Sequence, residues 1–308
     1  MDGASASGDT QHAHKAQDRR IFVQIPAYRD RELGPTLRDL FAAAADPNAL
    51  RVAVLWQRAP DDPFVPAEFH REALEIIEIS HTDSLGCNWA RGELQRLWRD
   101  EPYTLILDSH HRFVRHWDRK LISAHEALLS AGIARPIVTA YLPSYDPEVD
   151  PDGRNHTPLK IYPLRRTRGL VLRLIGRPIL AVEQFNGPLP ADFVSLHCLF
   201  AAGKFNHDVP FDPKCYFFGD EVATSLRAFT HGYDLFHPHE LIGWHLYDRT
   251  TRRTHWDDHA SWEMQEEASR RGLEALFRTG KAGHYGCGSV RTLADFEDHI
   301  GYSLSEKV

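Results

Sequence analysis

The apolar run at residues 105–107 ends in Asp108, Ser109 and His110, within the stretch LILDSHHRF. A carboxylate and an imidazole two residues apart, with only the small Ser109 between them, can turn to the same side of a strand tip. Together they can bind one divalent cation. Such an ion can hold a diphosphate and neutralise its charge as it leaves. The plainer reading is a strand-end acid that caps a loop, with His110 merely solvated. A second acidic pair, Asp220 and Glu221, follows Gly219 at the start of an apolar periodic segment. Carboxylates at a helix N-terminus gain from the helix dipole, whatever else they do.

The elements that must carry these residues follow from apolar patterning. Continuous apolar runs at 20–28, 50–57, 74–80, 103–108 and 135–141 predict buried strands, the first stopped by Pro26. Between them, Leu33, Leu37, Leu40 and Phe41 recur at helical spacing, as do Ala90, Leu94 and Leu97, and then Leu121, Ile122 and Leu128. Strand and helix alternate, so the first half reads as an α/β, mostly parallel sheet flanked by helices. Ligands of such sheets sit beyond the carboxyl ends of the strands, where Asp108 lies. Past residue 143 a Pro/Asp/Gly-rich loop breaks the rhythm, and 159–205 and 235–248 carry short β-like runs. A helix is expected after Gly219, closed at Gly232, and another opens at Thr292 with Asp295 three residues on and closes at Gly301. Trp117 and Trp244 read as core, while Trp256 and Trp262 fall in a polar stretch that could form a mobile lid.

Composition bounds the function. A chain of 308 residues, 42% hydrophobic and 26% charged, is an ordinary globular composition with enough apolar material for a sizeable core. The net charge of −7 argues against a general nucleic-acid surface. The run at 165–177 is a basic exception and reads as a patch or as a solvated strand face. Cys87, Cys198, Cys215 and Cys287 are scattered, with no CxxC pair, as buried thiols of a reducing compartment would be. No stretch of about 18 apolar residues predicts a membrane span. The first residues hold no apolar signal core, and 1–18 read as a disordered tail ahead of one domain at 19–308, divided into a nucleotide-binding half at 19–142 and an acceptor-side half at 143–308.

In these blocks the chain resembles the GlcNAc-transferase family of GT-A glycosyltransferases, some of whose members are cytoplasmic enzymes that glycosylate a hydroxyproline of a ubiquitin-ligase adaptor. It is similar, more distantly, to the polypeptide GalNAc-transferases. The resemblance runs in order through IFVQIPAYRDRELGPTLRDLF, LGCNWARGELQRLWRDEPYTLILDSHHRFVRHWD, VPFDPKCYFFGDEVATSLRAFTHGYDLFHPHELIGWHLYDR and GCGSVRTLADFEDHIG. It matches weakly at 143–195, where acceptor-facing elements belong.

The resemblance implies a GT-A-like, Rossmann-like fold with a smaller β-rich acceptor side. It implies a cytoplasmic enzyme that moves a sugar, GlcNAc first among the candidates, from a UDP-sugar to a hydroxyl with retention. The acceptor would be Ser, Thr or hydroxyproline of a protein or peptide, or a small molecule. Asp108, His110 and His245 would bind Mn²⁺ or another divalent cation. Ala27 and Tyr28 would flank the uracil. Arg29 and Asp30 would contact ribose or phosphate, with a salt-bridged turn between those two as the alternative. Asp83 and Ser109 would lie at the donor, Arg91 would grip phosphate, and Arg112 would pack on the diphosphate side or pair with a carboxylate. Glu221, and after it Asp220, would approach the transferred sugar or the acceptor hydroxyl. Arg249, Arg252 and Arg253 would close on the diphosphate, or form a solvated loop. Two rival readings are a degenerate sugar-nucleotide-binding protein without catalysis and a metal-dependent hydrolase using His110, His111 and His245.

Overall fold

The structure, a computed structural model, describes residues 18–62, 72–166, 172–181, 185–250, 252–280 and 283–305. The expected tail at 1–18 and the middle of the basic run therefore lie almost wholly outside the described residues.

The expected α/β order is present. Strands β1 Ile21–Tyr28, β2 Leu50–Arg58, β3 Leu74–Ser80 and β4 Tyr103–Leu107 alternate with helices α1 Leu33–Ala43 and α2 Cys87–Gln95. Then come β5 His111–Phe113, α3 Trp117–Ser130, β6 Pro136–Thr139, β7 Leu159–Arg166, β8 Leu172–Pro178, β9 Leu189–Pro190 and β10 Cys198–Ala202. The last third holds α4 Phe205–Asp208, α5 Asp220–Thr230, β11 Asp234–His237, β12 Gly243–His245, α6 His255–Asp258, α7 Trp262–Thr279 and α8 Leu293–Ile300. Eight strands form one sheet in the order β3-β2-β1-β4-β10-β6-β11-β9. Within it β3, β2, β1 and β4 are mutually parallel, and β10 and β9 run against their neighbours.

The central strands are apolar at almost every position because helices cover both sheet faces. Ile21, Val23, Ile25, Leu105 and Leu107 pack with Leu37, Leu40, Trp117 and Leu121 in one core, and Phe22, Ala53 and Leu55 pack with Ala90 and Leu94 in another. Full burial of each such aliphatic side chain is worth about 1.5–3 kcal/mol. Trp117 and Trp244 are both buried, as their surroundings in sequence suggest.

Pro26 does not stop β1. The strand runs on to Tyr28 against β2, whereas its pairing with β4 ends at Gln24 and Ile106. Proline has no N–H to give a ladder. It sits where β1 has already parted from β4, and that parting opens a crevice at the carboxyl ends of the two strands. The segment 235–248 is not one β-rich unit. β11 joins the large sheet, while β12 pairs with β5 in a sheet of two. A further two-stranded sheet, β7 with β8, lies in the segment where the family resemblance is weakest. The expected helix 292–301 has its reciprocal cap between Thr292 and Asp295, with Gly301 left-handed at its end. The 18-residue helix α7 was not anticipated. Only Ser269, Leu273, Leu276 and Phe277 are buried along it, a stripe too narrow to stand out in a charged stretch.

Candidate active site

The loop from β4 to β5 carries Asp108, Ser109 and His110. Thr36 on α1 fixes it, its hydroxyl accepting the His111 N–H at 2.8 Å and donating to the Ser109 carbonyl at 2.9 Å. β12 then aligns with β5 so that His245 stands opposite His111, and the Leu246 N–H donates to the His110 carbonyl at 3.1 Å. This close approach requires Gly243. A Cβ there would collide with the Arg112 carbonyl oxygen. Register thus brings His245 to an acid and an imidazole that lie more than 130 residues earlier in the chain.

His245 Nε2 lies 3.5 Å from Asp108 Oδ2, and His110 Nε2 lies 3.9 Å from the same oxygen. One ligand atom from each of the three residues falls within 4.8 Å of the others. His110 Nδ1 is 2.7 Å from Asp30 Oδ2, which also accepts the Ser109 hydroxyl at 2.7 Å. The acceptor at Asp30 puts the His110 proton on Nδ1 and leaves an Nε2 lone pair facing the cluster. Both His110 Nε2 and His245 Nε2 are buried without a hydrogen-bond partner among the described residues. Buried polar atoms are ordinarily satisfied, so two orphaned imidazole nitrogens beside a carboxylate fit a cation ligand set. Burial raises the Asp108 carboxyl, but the nearby His245 ring and the Arg91 guanidinium outweigh it and hold the group well below the usual carboxylate range. Burial also keeps His245 neutral, as a ligand must be. His111 is outside this cluster: its Nδ1 donates to the Trp244 carbonyl at 3.1 Å.

Two cavities meet at the cluster. The first, about 180 Å³, is lined by Pro26, Tyr28, Gln57, Ser109, His110, Tyr216 and the segment 252–256. The second, about 310 Å³, is lined by Tyr141, Leu172, Arg173, His197, Asp220 and Glu221. Asp108, Phe217, His245, Tyr247 and Arg249 belong to both walls.

The other expected site residues are placed as follows. Tyr28 lines the first cavity, and its hydroxyl donates to Asp258 Oδ2 at 2.9 Å. Ala27 is wholly buried in the core and does not reach that cavity. Arg29 makes no salt bridge with its neighbour Asp30. Its guanidinium reaches Asp258 at 3.0 Å and Asp62 at 3.3 Å, while Asp30 turns to Ser109 and His110. Asp83 is exposed on a short turn outside both cavity walls. Arg112 faces away, donating to Glu32 at 2.7 Å and to the Tyr145 hydroxyl at 3.1 Å, so the carboxylate pairing is the one present. Arg91 is 4% exposed, and its guanidinium bridges Asp108 and Asp220, each at 3.1 Å.

Asp220 and Glu221 open α5 after Gly219, whose φ of 90° turns the chain into the helix. Glu221 Oε1 accepts the Leu196 N–H at 3.1 Å and Oε2 accepts the Tyr141 hydroxyl. Burial and then the neighbouring Asp220 charge push the Glu221 carboxyl up to about 7. The same pair of acids therefore contains one counter-charged by Arg91 and one poised near neutrality.

Sequence reasoning missed Tyr141, His197 and Tyr247. His197 stacks on His245 with ring centres 4.1 Å apart, and Tyr247 meets the same ring edge-on at 4.4 Å. Tyr247 had a signal, since it lies two residues beyond His245 and strand alternation returns it to the same side. His197 had none, as one histidine beside an apolar strand is ordinary. The expected lid at Trp256 and Trp262 is two helices: α6 is clasped by Tyr28 and Arg29 through Asp258, and Trp256 lines the first cavity.

A family model described as Glycosyltransferase (GlcNAc) matches residues 20–69 and 62–306. The chain belongs to this glycosyltransferase family. A comparison with curated proteins finds no match. Among solved structures, GalNAc-T7 with UDP, GalNAc and Mn²⁺ has a TM-score of 0.54 at 13% identity over 92% of this chain, which spans 55% of the GalNAc-T7 chain. The mannosyltransferase PcManGT from Pyrobaculum calidifontis, in complex with GDP-Man and Mn²⁺, has a TM-score of 0.52 at 14% identity, covering 93% of this chain and 69% of its own. TarS 1-349 of S. aureus, in complex with UDP-GlcNAc, has a TM-score of 0.52 at 11% identity, covering 91% and 70%. Likeness at these identities establishes the GT-A fold. No helix among the described residues is long and apolar enough to cross a membrane.

Proposed function

We propose that this glycosyltransferase moves a sugar, GlcNAc first among the candidates, from a UDP-sugar to a hydroxyl acceptor, with retention at the anomeric carbon. The observation that carries the reading is the position of the Asp108–His110–His245 cluster at the junction of two cavities, with two imidazole nitrogens unpartnered and aimed at one carboxylate. Those three residues would hold the divalent cation, Mn²⁺ on this reading, with Asp30 fixing the His110 tautomer. A cation held there supplies positive charge opposite the diphosphate that departs from the sugar.

The remaining roles fall to the chain's own side chains. The first cavity takes the nucleotide, with the ring of Tyr28 against the base. Arg249, Arg252 and Arg253 on its wall offer charge-assisted hydrogen bonds to phosphate oxygens. The second cavity takes the acceptor. Phe217 and Tyr247 stand between the two and limit water, which would otherwise compete with the acceptor. A carboxyl near 7 at Glu221 can exchange a proton with an acceptor hydroxyl at working pH. Arg91 helps to hold Asp108 ionised, while at Asp220 burial outweighs the same guanidinium and raises the carboxyl. The acceptor hydroxyl belongs to Ser, Thr or hydroxyproline of a polypeptide or to a small molecule. Four cysteines, all unpaired, support a reducing, cytoplasmic setting.

The test is UDP release and thermal stabilisation across a panel of UDP-sugars with Mn²⁺. Turnover of UDP-GlcNAc, abolished in Asp108→Ala while the variant stays folded, supports the reading. Absence of any response to every nucleotide sugar, or turnover that survives EDTA, sinks it.

A further inference from the structure

The hairpin β7–β8 borders the second cavity, whose wall includes Leu172, Arg173 and Leu174 of β8. Between residues 159 and 178 the chain carries Lys160, Arg165, Arg166, Arg168, Arg173 and Arg177 and no acid at all, against a net charge of −7 for the whole. Register sharpens the point. Lys160 pairs with Arg177. Like charges set directly opposite each other on one face of an antiparallel pair destabilise it. The Tyr162 ring stands beside this pair, with Lys160 Nζ 5.5 Å and the Arg177 guanidinium 5.6 Å from its centre, and the Arg173 guanidinium lies 5.0 Å from the centre of the Phe218 ring. Among the described residues no carboxylate comes within salt-bridge distance of Lys160, Arg173 or Arg177. Arg249, across the cavity mouth, also has no carboxylate partner there and stacks instead on Phe217 and Trp256. A folded chain that tolerates such repulsion presents cations stacked on aromatic rings but without carboxylate partners, leading out of the acceptor cavity.

We propose that the acceptor is an acidic polypeptide segment, bound along this hairpin with its hydroxyl in the cavity beside Glu221. The inference rests on the transferase reading above and names its substrate class. Arg173 at the cavity wall and Arg177 lie four residues apart on one strand, roughly 13 Å at strand rise, which exceeds a small molecule and matches an extended chain. β8 has no second partner strand among the described residues, so its outer edge can pair with an extended peptide backbone. Acidic side chains within about four residues of the modified hydroxyl would then meet Arg173 and Arg177.

The experiment uses the full chain with UDP-GlcNAc and Mn²⁺, and Ser/Thr peptides of equal length flanked by Glu, by Gln or by Lys. UDP-sugar hydrolysis without acceptor is followed in parallel and reports the transferase reading alone. Glu-flanked peptides are expected to bind roughly tenfold more tightly by fluorescence anisotropy than Gln-flanked ones, with most of the advantage gone near 1 M salt. Lys160→Glu/Arg177→Glu should transfer the preference to the Lys-flanked peptides and leave acceptor-free hydrolysis unchanged. Lys160→Gln/Arg177→Gln, which relieves the repulsion, should raise Tm while removing the acidic preference. Equal binding of all three peptides, or no binding of any, overturns the proposal. So does hairpin-dependent binding to vesicles rich in anionic phospholipid without peptide preference, which would make the basic face a membrane contact.

Discussion

Asp30→Asn is the most incisive perturbation of the cluster, because it replaces no proposed ligand and alters no shape. Asp30 Oδ2 accepts from both Ser109 Oγ and His110 Nδ1 at 2.7 Å, and Oδ1 accepts the Glu32 N–H at 2.9 Å. An asparagine offers only one carbonyl oxygen. If that oxygen stays on the Glu32 N–H, the amide nitrogen faces His110 and becomes the donor. His110 Nδ1 must then accept, its proton moves to Nε2, and Nε2 can no longer present a lone pair to a cation. If the amide turns over, His110 keeps its tautomer but the Glu32 N–H is left unpaired. Either way one hydrogen bond to a charged group is lost, worth about 1.5–3 kcal/mol. That corresponds to roughly tenfold to hundredfold weaker cation binding, the range found when a partner behind a metal-bound histidine is removed. The assay is Mn²⁺ titration by calorimetry or by paramagnetic relaxation of water protons, with far-UV circular dichroism to confirm folding. Unchanged Mn²⁺ affinity in a folded Asp30→Asn protein would show that His110 is no ligand, or that Asp30 does not set its tautomer.

Three further outcomes follow from the same geometry. Glu221 has a folded-state pKa raised from 4.5 to about 7, so it costs stability progressively as pH rises across that window; Glu221→Gln should flatten the decline and gain at most about 3 kcal/mol at pH 8, read from urea unfolding at several pH values, and an unchanged pH dependence would refute the raised value. Arg91→Met leaves Asp108 and Asp220 without their shared counter-charge and should destabilise by about 3–5 kcal/mol, with Mn²⁺ restoring part of the lost Tm; a loss below about 1 kcal/mol would mean that the bridge is incidental. Gly243→Ala forces β12 off the Arg112 carbonyl and should cost about 1–3 kcal/mol while weakening Mn²⁺ binding through His245; a folded variant with intact Mn²⁺ affinity would show that β12 register does not position that ring.

How far the sequence could be read depends on how local the determining physics is. β1, β2 and β4 announce themselves because strands covered on both faces must be apolar at nearly every position, whereas the run at 74–80, expected as buried, is the half-exposed edge strand β3. The Asp108–Ser109–His110 turn is equally visible, being three adjacent residues at a strand end. The partners of Arg91 were not legible, for the opposite reason. Its helix tells which way it points but not what it meets, and its partners Asp108 and Asp220 are 17 and 129 residues away. The alternative of a salt bridge between Arg29 and its neighbour Asp30 was not realised, since each found a more distant partner that the turn geometry favours, with Arg29 at φ 45°. Helix α7 escaped because its buried stripe is narrow, and the β5–β12 pairing could not be foreseen from three-residue strands.

What separates the two sides of the site chemically is a single buried guanidinium. Arg91 lies 3.1 Å from both Asp108 and Asp220, and its charge favours the ionised form of each. Asp108 also faces His245, so it stays ionised for a cation. Asp220 spends part of that compensation on its own burial, and its remaining negative charge raises Glu221 one residue on. Two carboxylates within one small volume thus take opposite protonation tendencies without any difference in residue chemistry, as acid and base pairs in enzymes commonly do. The arrangement also couples the cavities. A cation held at Asp108 would compete with Arg91 for that carboxylate, so the guanidinium is the one charged group that touches both the donor-side and the acceptor-side acid.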